Sequence, residues 1–380
     1  MRKPSFPANA PTGTTNRERG FTMVELMVGV ALGLFIVGIA SAVFVAARHS
    51  FQVQDNAAHM QESARAMLED ITREIRKAGG LACYRWKDTN SPVYLSATMP
   101  AGAGGAFPLQ PIDANAVIRG GDVTTSGLVL PGIAGVTPVP GTDFISVLYG
   151  QPVATLTIGT GNGQMLNHND PYTLNRSITV SSGQPMVVAD CDTATIFRAD
   201  NNGSTSTLVH NLGGGNNVAP ADIFGADAML SGNTYRGGAV MMWLEMPTFF
   251  VGQDTNGLRS LYRWDTSNGG GVQPMIPNVE QMRVVFGVDA AGTAGHLNSA
   301  NARMTGEAVT FSNLWQNVVS ADVHLVLRSD DEAGANTIPR QYVWDSSNNL
   351  FVASGSATDH YVRQVYVVSA GLRSRLPILN

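Results

Sequence analysis

The distribution of apolar and polar positions divides this chain sharply. A charged leader ends at Gly20, an apolar run begins abruptly at Phe21, and no charged residue occurs from Leu26 to Ala47. One acid, Glu25, lies at the head of that run. The run is long enough to span a bilayer, which needs about 20 apolar residues. Beyond it, Val53, Ala57, Met60, Ala64, Leu68, Ile71, Ile75 and Ala78 continue at spacings of three and four, which predicts one apolar stripe on a helix. Gln52, Asp55, Glu62, Arg65, Glu69, Arg73 and Arg76 occupy the opposite face, with Glu69 and Arg73 four apart in the favourable order for an ion pair. Gly79-Gly80 supplies the stop. The pattern predicts one helix from Phe21 to Ala78, about 85 Å long at 1.5 Å per residue. Glycines at 29, 33 and 38 permit close helix approach in a membrane.

From Leu81 the helical period gives way to turn signals, among them Pro140-Gly141, Asn202-Gly203 and Asn256-Gly257. Strand-like runs occupy Asp143–Tyr149, Ala239–Met246, Arg283–Val288 and Arg363–Ala370. The clearest alternation is Val319–Arg328, with Asp322 and His324 on a face expected to be solvated. Residues 90–140 are rich in Pro, Gly and Ala and read as an irregular excursion; glycine runs at 213–215 and 269–271 read as loops. The expected fold class is α+β, a long N-terminal helix packed on a mainly antiparallel sheet. Its expected divisions are a leader at 1–20, a membrane and assembly half at 21–47, an amphipathic half at 48–80 and a β-rich domain at 81–380.

The leader carries a net charge of +3. That excess favours keeping it in the cytoplasm and placing the rest of the chain outside. An ordinary export signal is cut after its apolar core, so the core is lost. Here the candidate site Gly20/Phe21 precedes the core. Gly20, Phe21, Thr22, Val24, Glu25 and Leu26, followed by the unbroken apolar stretch, resemble the signal of type IV prepilins and pseudopilins. The resemblance implies cleavage after Gly20 by a prepilin peptidase and N-methylation of Phe21. Competing readings are an uncleaved signal anchor and conventional cleavage after Ala42. The resemblance further implies that Glu25 pairs with the charged N-terminus of a neighbouring subunit, since an unpaired carboxylate in hydrocarbon costs several kcal/mol. The alternative is that Glu25 snorkels to the interface.

Asp190-Cys191, Leu261-Tyr262-Arg263, Val285-Phe286-Gly287-Val288-Asp289, Trp315 and the terminal Arg363 and Leu372-Arg373-Ser374-Arg375 occur in that order. With Ile75-Arg76-Lys77-Ala78-Gly79 and the following Cys83, the succession resembles the PilW group of minor pilins. That resemblance implies a subunit that helps initiate type IV pilus assembly at or near the filament tip. The implied partners are the prepilin peptidase, other minor pilins, the major pilin and a large tip adhesin. The implied location is the inner membrane, single-pass with a periplasmic domain, and after assembly the surface pilus. The rival assignments are a minor pseudopilin of a type II secretion system and a membrane-anchored extracellular enzyme, adhesin or binding domain. Glu25 argues against those capping pseudopilins that lack an acid there.

Composition narrows the chemistry. The 380-residue chain has a formal charge of −5 and three lysines, Lys3, Lys77 and Lys87, with scattered arginines. No basic patch points to direct nucleic-acid binding. For an exported domain the two cysteines, Cys83 and Cys191, are expected to form a disulfide rather than remain free thiols. The seven histidines show no metal spacing, so neither metal nor cofactor is expected. Gly159-x-Gly161-x-Gly163 lacks a phosphate-site context and reads as a turn, and Asp254-x-Asn256-Gly257 lacks the downstream acid of a calcium loop. The Asp190/Asp192 pair is expected on one side of a strand in a structural role. No catalytic residue is assigned, and the protein is expected not to be an enzyme.

Overall fold

The computed structural model describes residues 20–85, 93–97, 117–125, 133–157, 170–210, 217–222, 235–265, 271–292, 299–332, 340–356 and 359–374. Residues 1–19 of the leader, the Gly159–Gly163 segment, the glycines at 213–215, Gly269, Gly270, His168, His296 and Arg375 lie outside them. The chain divides into two compact units, Met1–Gln54 and Asp55–Asn380.

The described part of the first unit is helix. The long helix runs Met23–Lys77 and, by length and composition, can cross a membrane; none of its most apolar window is buried within the protein. In the second unit the stripe is buried from Met60 onward, at Met60, Ala64, Leu68, Ile71, Ile75 and Ala78, while Ala57 is half-buried. Met67, Thr72 and Glu74 widen it. All seven positions assigned to the polar face are exposed. The expected Glu69–Arg73 pair does not form. Arg73 instead bonds Asp70 at 2.8 Å and Glu69 takes Arg65 at 3.3 Å, because long exposed side chains settle on whichever helical neighbour is nearer. The helix ends at Gly79, whose φ of +73° is the left-handed conformation of a helix stop. Its N–H leaves the helix and bonds the Leu148 carbonyl at 2.7 Å.

Among the described residues three larger sheets follow. A six-stranded sheet has the order Asn217–Asp222, Val93–Ala97, Ala194–Arg198, Pro185–Ala189, Val240–Glu245, Tyr149–Thr155. A second is ordered Gly271–Pro277, Arg259–Asp265, Thr248–Asp254, Asp143–Val147, Ile118–Asp122, with Val136–Pro138 also pairing Thr248–Asp254. A four-stranded C-terminal sheet is ordered Ala302–Thr305, Val279–Val288, Val318–Glu332, Tyr361–Gly371. A two-stranded sheet pairs Tyr172–Val180 with Gly203–Leu208, and a hairpin joins Arg340–Asp345 to Leu350–Ser356. Among the described pairs, only Val93–Ala97 with Ala194–Arg198 is parallel, so the architecture is α+β and mainly antiparallel. Segment 90–140 is not wholly irregular: Val93–Ala97, Ile118–Asp122 and Val136–Pro138 are strands, which its short, glycine-broken runs disguise.

Successive side chains of a strand point to opposite faces, and the six-stranded sheet uses both. Val187, Ala189, Ile196, Met242 and Leu244 enter the main core, which the helix stripe shares. Met186, Val188, Phe197 and Met241 enter a second core with Tyr172, Leu208 and Tyr235. Burial on both faces explains why these strands read as continuous apolar runs. The same holds for Val318–Glu332. Its Asp322 and His324 are buried, against the expectation of a solvated face. Trp344 of the late hairpin meets the His324 ring edge-on at 5.2 Å, and Phe351 packs edge-on against Trp344. Burial holds the His324 pKa below its ordinary value, against the pull of Asp322.

Candidate functional site

The helix begins two residues after Phe21, and its first turn is closed by its own side chains. Thr22 Oγ1 accepts the Glu25 backbone N–H at 3.3 Å. Glu25 Oε2 reaches back to accept the Thr22 backbone N–H and the Thr22 hydroxyl, each at 3.0 Å. This reciprocal Thr-x-x-Glu arrangement is a capping box, which satisfies two of the amides a helix start leaves without partners. Glu25 is therefore a local cap as well as a charge. Its second oxygen, Oε1, makes no hydrogen bond among the described residues. The helix start itself attracts negative charge. Gly20, Phe21 and Thr22 lie outside the helix, exposed and in irregular backbone. From Phe21 to Phe44 the large apolar side chains are at least half exposed. Such a surface needs lipid or other apolar helices to cover it.

In the second unit the helix is fixed by a charged cluster that only the fold assembles. Glu74 is 3% exposed and receives Lys77 Nζ at 3.0 Å. Arg263 approaches Glu74 and Asp70 at 3.8 Å each and bonds Asp265 at 2.7 Å. Lys77 also stands over the Tyr149 ring at 4.9 Å. Burial, with Glu74 close by, pushes the Tyr149 hydroxyl pKa up. A buried carboxylate is costly unless paired, and here two cations meet it. Neither Glu74 nor Arg263 carries this role in the helical pattern: the stripe rule assigns buried positions to apolar residues, and the pairing joins distant parts of the chain.

Cys83 and Cys191 are bonded to each other, with Cα atoms 4.9 Å apart. Cys83 follows the helix stop, and Cys191 lies in the turn between Pro185–Ala189 and Ala194–Arg198. Asp190 and Asp192 are in that turn rather than on one side of a strand. The Asp190 carboxylate accepts the amides of Asp192 and Thr193 at 2.9 and 2.7 Å, so it shapes the turn. Asp254 does the same for the Thr248–Asp254/Arg259–Asp265 hairpin, accepting the amides of Asn256 and Leu258. No group of metal-ligating side chains occurs among the described residues.

Other residues singled out in the C-terminal half also hold structure. Trp315 meets the Phe286 ring edge-on at 5.0 Å. Arg363 grips Glu280 at 2.7 and 2.9 Å and Asp359 at 2.7 Å, tying the last strand to its surroundings. Two family models match. Residues 15–41 match the prokaryotic N-terminal methylation motif, which contains the Gly20/Phe21 junction and the Thr22–Glu25 cap. Residues 248–374 match type IV pilus-assembly protein W, the stretch that contains Arg263, Trp315 and Arg363. No curated protein and no solved structure matches. The chain thus matches the type IV pilus-assembly protein W family over its C-terminal sheets and the methylation motif of prepilins at its helix start.

Proposed function

We propose that this protein is a minor pilin that takes part in initiating type IV pilus assembly, at or near the filament tip, after cleavage between Gly20 and Phe21 and N-methylation of Phe21. The observation that carries the reading is the exposed apolar helix headed by the Thr22–Glu25 box, directly after the proposed cut. Cleavage would create an ammonium group one residue before the amide that Glu25 already caps. The unbonded Oε1 of Glu25 would then accept the N-terminus of a neighbouring subunit, so that charge pairing sets the axial register of entry. The helix would cross the inner membrane once, with the β-rich unit in the periplasm, until the subunit joins a surface pilus. Its partners would be the prepilin peptidase, other minor pilins, the major pilin and a tip adhesin. The role would be one of assembly, as the description of the matching family says of its members.

The test begins with the mass of the N-terminal peptide from the protein in its own host. A chain starting at N-methylated Phe21 is expected; a start at Met1 or Val43 would overturn the processing step. Glu25→Ala is expected to be cleaved normally and to lower filament number severely. Normal piliation in that variant would sink the pairing role. Loss of the gene should reduce surface pili, whereas normal pili with failed protein secretion would move the protein to a secretion pseudopilus.

A further inference from the structure

An open groove of about 880 Å³ lies in the second unit between the helix flank and the last strand of the C-terminal sheet. That size is within the range of ligand clefts. Two features of its walls point to one kind of occupant. The strand Tyr361–Gly371 pairs with Val318–Glu332 on one side and ends its sheet, so its other side has no strand partner among the described residues. A free strand edge presents a row of backbone donors and acceptors, a template for one more strand. Tyr366 and Val368 of this strand, with Leu68 of the helix, give the groove apolar surface.

The second feature is charge. Arg65, Arg73, Arg76, Lys77 and Arg373 line the groove against one carboxylate, Glu69. Arg65, Arg73 and Lys77 are compensated by Glu69, Asp70 and Glu74. Arg76 and Arg373 hold no ion pair or hydrogen bond among the described residues. The uncompensated charge thus stands beside the free strand edge.

We propose that this groove docks an extended, acidic segment of another polypeptide, added as an edge strand to Tyr361–Gly371 with its carboxylates on Arg76 and Arg373. An incoming strand lies about 4.8 Å from its neighbour, and its side chains alternate in direction. Every second residue then faces the helix flank with its guanidinium groups. An anionic membrane surface would satisfy the arginines alone and leave the strand edge unpaired; a polypeptide satisfies both. The docking surface is independent of the proposed processing at Gly20, since it is built wholly within the second unit.

The experiment uses the full chain in neutral detergent micelles. The probe is a fluorescent eight-residue peptide alternating glutamate and valine. Its controls carry lysine in place of glutamate, or proline in place of valine. The glutamate–valine peptide is expected to bind and to slow hydrogen exchange at alternate amides of Tyr361–Gly371. Neither control should bind, and the double variant Arg76→Glu with Arg373→Glu should weaken binding at least tenfold. Both side chains are unpaired, so the variant should keep its circular dichroism spectrum; if it unfolds, a tenfold weakening of wild-type binding in high salt tests the charge requirement instead. Equal binding of the proline peptide, undiminished binding to the folded variant, or no binding at millimolar peptide overturns the proposal. So does arginine-dependent capture by phosphatidylglycerol vesicles without peptide binding.

Discussion

Single residues in this molecule do more than their place in a pattern suggests. Glu25 reads along the chain as a costly charge in an apolar run, but its carboxylate is half spent on closing the helix start with Thr22. That signal, Thr-x-x-Glu, is local and legible; attention to the charge alone passes over it. Asp143 is a contrasting case. It is 2% exposed, held by Arg283 at 2.8 Å and by the Val284 amide at 2.8 Å. Burial nevertheless pushes its pKa up to about 6, against the pull of Arg283. The native state therefore keeps this proton longer than the unfolded chain does. The contribution of Asp143 to stability is full below about pH 3.8 and is lost as pH rises through about 6. Asp143→Asn should remove that dependence. In urea titrations of the full chain in micelles, wild-type stability minus variant stability should fall by up to about 3 kcal/mol between pH 4 and pH 6.5. A pH-independent difference would mean that Asp143 is ionised throughout.

At the scale of elements, the long helix gains its stability after residue 55 from packing. Ile71 and Ile75 are fully buried in the main core, while Arg65 and Glu69 are exposed. Ile71→Ala should cost about 3 kcal/mol, through lost burial and the cavity left behind. Arg65→Ala should stay within about 0.5 kcal/mol, since its ion pair is exposed. The pair of urea midpoints checks this, and similar losses at both sites would mean that the stripe is not what fixes the helix. The stripe was legible because helical periodicity is a local property. Glu74 was not, because its burial depends on Arg263 arriving from a strand far along the chain. The strands were legible as apolar runs, but their second faces were not: whether a face is covered depends on which later hairpin folds over it, as Trp344 meets His324.

For the whole molecule, the Cys83–Cys191 bond joins the segment after the helix to a turn 108 residues away. Closing a loop of that length contributes about 4–5 kcal/mol in the chain-entropy model. Both cysteines are exposed, so a reductant can reach the bond. Cys83→Ser with Cys191→Ser should lower the thermal midpoint clearly, and dithiothreitol should reproduce that loss in the wild type and not in the variant. An unchanged midpoint would show that the sheets hold the helix end without it.

Features that depend on near neighbours along the chain could be read from the residues alone: the apolar run headed by Glu25, the amphipathic continuation to Ala78, the stop at Gly79 and the α+β class. These follow from side-chain chemistry repeated at fixed spacing. Folding alone sets which strand faces are buried, how two cores flank one sheet, how Arg263 and Lys77 meet a buried acid, and where a strand edge stays open beside uncompensated arginines. Each of those depends on groups distant in sequence sharing a low-dielectric space, and periodicity carries no record of such meetings.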